Sequence, residues 1–150
     1  MRPDRRDRYD PWRDLATNWP AVEVVVEPMA GSLLGELRYP VIALRAGTSA
    51  AQRRCTLTHE LVHLERGTGE CGPFAQREEA LVHAEVARRL VPATALAAAV
   101  RELGAGADLA AVADALDVDR QTLSLRLAQL TRAERRRVGV TTREQLWQIA

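Results

Sequence analysis

Lysine is missing from this chain: all 21 basic residues are arginine, and 20 acidic ones bring the formal net charge to +1. A chain so nearly neutral has no global field to draw it to nucleic acid or a membrane surface. Any such partner would have to be met by a local patch. The missing lysine is read as a mark of GC-rich coding, not of function. Cysteine is scarce as well. Cys55 and Cys71, the 2 in the sequence, are too few for a disulfide scaffold, and a reducing cytoplasm is the expected setting. No apolar run approaches the roughly 20 residues of a membrane-spanning helix, and no signal peptide opens the chain, so a cytoplasmic protein without a membrane partner is expected. Aromatic residues make up only 4% of the chain, yet 47% is hydrophobic, much of it alanine. That combination predicts a mainly helical protein, sized for one domain or a domain with a small helical appendage.

Histidine is the third scarce residue, and its placement is the informative one. Of the 3 present, two stand in the run Thr58-His59-Glu60-Leu61-Val62-His63-Leu64. A His-Glu-x-x-His run is a zinc-peptidase signature when it lies on a helix. At about 3.6 residues per turn His59 and His63 share a face, so both imidazoles can converge on one ion while Glu60 is turned toward a water bound there. Ser49 followed by Gln52 reads as a capping box, and Gly67 as a C-terminal stop, which predicts a helix over 50–66. Leu57, Leu61 and Leu64 form a stripe almost opposite the histidines, so this helix should be covered on both sides. The segment His63-Leu64-Glu65-Arg66 lacks the glycine and third histidine of the longer zincin motif, which excludes that subclass and leaves the third ligand to be found elsewhere.

Upstream, the arginine- and aspartate-rich residues 1–14 predict a mobile arm, or a short helix anchored by Tyr9 and Trp12. The β-branched run over 21–27, bounded by Pro20 and Pro28, reads as a strand, and 36–39 and 41–45 as two more around Pro40. A small, mostly antiparallel sheet therefore precedes the motif helix. In zinc peptidases such a sheet offers an edge to which an extended substrate adds as another strand.

Downstream, a loop over 68–73 leads to a second helix, from Ala75 to Val91, stopped by Pro92. If the two helices run antiparallel, His63 faces the first turn of the second, where Glu78 and Glu79 sit. Glu79 is the expected third ligand, with Glu78 next. His83, one turn deeper and level with His59, is a ligand in one reading and a supporting, partly buried histidine in the other. Cys55, one turn before His59, reads as a small buried residue, and Cys71 has only its nearness in sequence to connect it with a metal.

The last third is helical. An alanine-rich helix ends at Leu103-Gly104, Asp108 caps Leu109–Leu116, and after Asp117-Val118-Asp119 a helix runs from Arg120 to Leu130. This reads as a helix-turn-helix. In a DNA-binding reading Arg120, Gln121, Thr122, Ser124 and Arg126 face a groove and the run Arg132–Arg137 meets phosphates. The competing reading is a helical hairpin that covers the catalytic domain or binds protein. Thr131 and Glu134 form another capping box, and the chain closes near Trp147 in a last docked helix.

With these residues in view, the chain resembles the ImmA/IrrE family of metallopeptidases, in the form seen in actinobacterial phages and mobile elements. The resemblance covers about residues 20–100. It rests on Val41-Ile42-Ala43-Leu44, on Gln52 to Thr58 leading into His59-Glu60-Leu61-Val62-His63, and on Arg77-Glu78-Glu79 opening a helix that closes with Ala87-Arg88-Arg89-Leu90-Val91-Pro92. It implies zinc held by His59, His63 and a downstream acid, with Glu60 as general base. The substrate it implies is a helix-turn-helix transcriptional repressor of a prophage, mobile element or stress regulon. Glu79 is the matching acid, although Val82-His83-Ala84-Glu85-Val86 departs from the Ala-Asn-x-Phe-Ala of many members.

The expectation is thus an α+β protein: an arm over 1–18, a zincin-like domain over 19–104 with a mostly antiparallel sheet on a helical core, and a helix-turn-helix-like region over 105–150. Its function is zinc-dependent endoproteolysis through Glu60, with His59, His63 and Glu79 on the metal and a protein substrate. The alternatives are a non-proteolytic anti-repressor, or a DNA-binding regulator with a degenerate metal site.

Overall fold

The computed structural model describes residues 8–67, 74–104 and 106–139. The loop over 68–73 with Cys71, the first seven residues of the arm and the expected helix near Trp147 lie outside them. The described chain divides into two compact units, residues 10–86 and the described residues outside that span.

In the first unit Asp10 caps a helix α1 (Pro11–Asn18), its carboxylate accepting from the amides of Trp12 and Arg13. Pro11 at the first position has no amide proton to leave unpaired there. Of the two expected anchors, Tyr9 is half-buried, with the Arg89 guanidinium 5.7 Å from its ring centre. Trp12 is not buried: it is 45% exposed, whereas Leu15 and Trp19 pack against the core. Three strands follow, β1 (Glu23–Glu27), β2 (Gly35–Arg38) and β3 (Val41–Arg45), in the order β1-β3-β2. β2 and β3 form an antiparallel hairpin with Leu37 opposite Ile42, closed at Tyr39-Pro40, whose peptide bond is cis. β1 pairs with β3 in parallel, Val24 opposite Ile42, so the sheet is mixed where a mostly antiparallel one was expected. The α+β class is as expected.

β3 holds the centre. Its Ile42, Ala43 and Leu44 are fully buried, as a strand paired on both edges and covered on both faces requires. Against it lies α2 (Ala50–Arg66). The capping box is present: Gln52 N–H donates to Ser49 Oγ, and the Gln52 side chain accepts the Ser49 amide. Gly67 ends the helix in the left-handed conformation, φ 67°. Leu57 and Leu61 join Val22, Ile42 and Leu44 in the core, with Leu64, Leu15, Trp19, Val24 and Leu37 packed around them. The leucine stripe thereby fixes the rotation of α2 and commits the opposite face to the histidines.

A third helix, α3 (Ala75–Leu90), follows, and the boundary between the two units falls within it, after Val86. The second unit contains α4 (Ala93–Leu103), α5 (Leu109–Leu116), α6 (Arg120–Gln129) and α7 (Arg132–Val138). α4 packs on α5 and α7, and α5 on α6; Ala95, Ala97 and Ala99 are buried, where small side chains let helix backbones approach closely. Asp117 takes the left-handed conformation, φ 55°, and Asp119 caps α6 through the Thr122 amide. The turn over 117–119 is therefore where the sequence put it.

Candidate metal centre

α2 and α3 bring the predicted groups together. His59 Nε2 and His63 Nε2 are 3.0 Å apart, and Glu79 reaches both, with Oε1 3.0 Å from His59 Nε2 and Oε2 3.3 Å from His63 Nε2. A tetrahedral ion with bonds of about 2.0–2.1 Å to nitrogen and oxygen needs donor atoms roughly 3.3–3.4 Å apart. The three observed separations are close to that spacing, so the donor set fits one such ion without rearrangement of either helix. Among the described residues these three side chains form the group whose ligand atoms all lie within 4.8 Å of one another.

The two acids in the first turn of α3 have separate tasks. Glu78 forms an ion pair with Arg66 at the end of α2, and the Arg66 hydrogen bond holds its carboxyl below the usual carboxylate range. Glu79, one residue on, is rotated to the histidines. Arg66 thus draws Glu78 away from the histidines, a pairing that helical spacing alone does not foretell. His83, one turn after Glu79 on α3, places Nε2 3.3 Å from Glu79 Oε1, and its ring lies 4.9 Å from that of His59 at 50°. Cys55 is buried, as expected of a packing residue.

Burial sets the protonation of the centre. It lowers the pKa of His59 to about 4, because a charged imidazolium would lose its hydration; Glu79 opposes the shift, while His63 and His83 add to it. His59 is therefore neutral near pH 7, the state in which imidazole can donate a lone pair to a metal. Glu60 is buried on the neighbouring face, and burial raises its pKa to about 7, with Glu79 and Glu36 adding repulsion and the Leu37 amide, a donor to its carboxylate, opposing.

That amide belongs to β2, and the reason it can reach Glu60 is Gly35. A Cβ at residue 35 would overlap Thr56 Cγ2 of α2 and stand 3.2 Å from the Ala43 carbonyl and 3.4 Å from Glu60 Oε1. The sequence had a signal for this contact: a glycine inside a strand pattern marks a close approach of backbone. A strand expected over 36–39 begins one residue too late to include Gly35, and the contact was missed.

The residues assigned to a DNA groove are not all available. Arg120, Gln121 and Ser124 are exposed, whereas Thr122 and Arg126 are buried. Arg126 donates Nε–H to the Val91 carbonyl at 2.9 Å and pairs with Glu134 at 2.5 Å, so its guanidinium ties three segments of the second unit together.

Fold and site together define a class: an α+β protein carrying two helix-borne imidazoles, a carboxylate from the next helix and a buried acid beside them, as in metal-dependent hydrolases. Residues 20–128 match the peptidase M78 family, described as the IrrE N-terminal-like domain, and the chain belongs to that family. The resemblance read from the motif and its flanks is borne out, and a metallopeptidase type of function accords with it. No curated protein and no solved structure matches the chain. Among the described residues no helix is long and apolar enough to cross a membrane.

Proposed function

We propose that this protein is a zinc-dependent endopeptidase, with His59, His63 and Glu79 on the metal and Glu60 as general base, and that it cuts a helix-turn-helix transcriptional repressor. The observation carrying the reading is the convergence of His59, His63 and Glu79 at 3.0–3.3 Å with the buried carboxyl of Glu60 in the next position of the same helix. Zinc held there supplies Lewis-acid polarisation of the scissile carbonyl and acidification of the attacking water. Glu60 accepts the proton of that water on a carboxylate oxygen and returns it to the leaving amine nitrogen. β2 is an edge strand beside Glu60, where an extended peptide segment can pair as a further strand. The repressor as substrate rests on membership of the IrrE-like family.

The test is to co-express the chain with candidate helix-turn-helix repressors, beginning with any found in a neighbouring reading frame, and to follow each repressor on a gel. Cleavage by wild type, lost in Glu60→Gln while bound zinc stays at one per chain, is the expected result. Cutting by Glu60→Gln would exclude Glu60 as the base. An intact repressor held in a stoichiometric complex would replace proteolysis with sequestration.

A further inference from the structure

Three imidazoles surround the Glu79 carboxylate, and the proposed donor set uses only two of them. His59 and His63 reach it from α2, while His83 reaches it from its own helix, four residues on, at 3.3 Å between Nε2 and Oε1. Once an ion is shared by His59, His63 and Glu79, the two α2 histidines give their Nε2 lone pairs to it and have no proton there to offer the carboxylate. His83 is then the imidazole left to donate.

Its position also argues against a fourth ligand. His83 is not part of the group whose ligand atoms lie within 4.8 Å of one another, and its polar contact with that group is to one carboxylate oxygen. A fourth protein ligand would in addition close the position a hydrolytic site keeps open. Because His83 and Glu79 stand one turn apart on α3, their contact needs nothing from α2. It can hold the carboxylate before any ion arrives, and metal ligands held this way by a neighbouring donor bind more tightly.

We propose that His83 is a positioning residue for the metal centre: in its Nε2–H tautomer it donates to Glu79 Oε1 and locks the carboxylate in the orientation that meets the ion. This rests on the zinc reading above.

The test uses the full chain and two substitutions that both suit an α-helix, His83→Leu and His83→Gln. Zinc affinity is measured by competition with a chromophoric chelator, and the metal's surroundings by the visible absorption of the Co2+-loaded protein. The Gln side chain can bring an N–H near the place of Nε2, whereas Leu cannot. His83→Leu is expected to weaken zinc binding roughly 10- to 100-fold, with His83→Gln within about threefold of wild type and the Co2+ spectrum the same in all three. Equal affinity in all three would overturn the proposal and leave His83 as a solvated residue. Loss of affinity in both variants with an altered Co2+ spectrum would overturn it in favour of direct ligation. Should wild type itself bind neither ion, the zinc reading falls and the inference with it, a result distinct from either of the others.

Discussion

Glu60 shows how a single side chain can be suited to chemistry at the expense of stability. Its ordinary carboxyl pKa, 4.5, is raised to about 7 in the folded protein, chiefly by burial. Between those values the folded, metal-free chain holds a proton that the unfolded chain has released. Glu60's own contribution to stability is therefore greatest below about pH 4.5 and declines as pH rises toward 7, after which its loss is complete. Glu60→Gln keeps the shape and an oxygen for the Leu37 amide but removes the ionisation. Urea titrations of the metal-free proteins should show the variant gaining on wild type from pH 5 to 7, by up to about 3 kcal/mol at pH 8. Parallel pH profiles for the two would mean that the Glu60 carboxyl is not held in a dry environment. The sequence placed His59 as a candidate ligand, but that it is neutral near pH 7 follows only from its burial in the assembled site.

At the scale of elements, the packing of β2 on α2 puts the Leu37 amide beside Glu60, and it depends on the absence of a side chain at residue 35. Gly35→Ala should destabilise the protein by about 1–3 kcal/mol, since the new methyl meets Thr56 Cγ2 and the Ala43 carbonyl in a packed interface. Removing the obstructing methyl with Thr56→Ser in the same chain should recover about half of the loss, a coupling that a double-mutant cycle reads directly. Additive effects would sink the steric account. The bounds of α2 were legible from sequence, because a capping box and a C-terminal glycine are local signals that owe nothing to the rest of the fold. The parallel pairing of β1 with β3 was not. Strands that read alike can pair in either direction, and here the hairpin of β2 and β3 left β1 the other edge of β3.

For the whole molecule, the two units give separate handles. Arg126 is buried, and its partners, Val91 and Glu134, lie 35 and 8 residues away in the chain. Arg126→Met strips both of their donor and should cost about 2–4 kcal/mol in equilibrium unfolding, with part of that restored by adding Glu134→Gln. An undiminished midpoint would show that the network contributes little. The Arg126 hydrogen bond holds Glu134 near pKa 2, below the ordinary 4.5, so its contribution is whole above about pH 4.5 and is lost as the pH falls toward 2. Acid titration of Glu134→Gln should accordingly be flatter over that interval than that of wild type. The proposed zinc site lies elsewhere, in residues 10–86; on that proposal added zinc should raise the unfolding temperature of wild type, with EDTA reversing the gain, and at a hundred times Kd the stabilisation is about 2.7 kcal/mol. His63→Ala should abolish that response and leave the acid behaviour of the Arg126 pair unchanged.

The sequence alone determined what depends on helical period and local hydrogen bonding. It set two histidines on one face of a capped helix, a glutamate between them and a leucine stripe opposite, and it named Glu79 because a short connection brings the start of the next helix near His63. Tertiary structure decided what depends on groups distant in the chain. Arg66 draws Glu78 aside, Gly35 lets a strand amide reach Glu60, and Arg126 is spent on Val91 and Glu134, so it is not exposed for a groove. The physical reason is the range of the forces. Backbone geometry and capping act within a turn or two of helix, while burial, steric exclusion and the choice of ionic partner are set only when segments far apart in sequence meet.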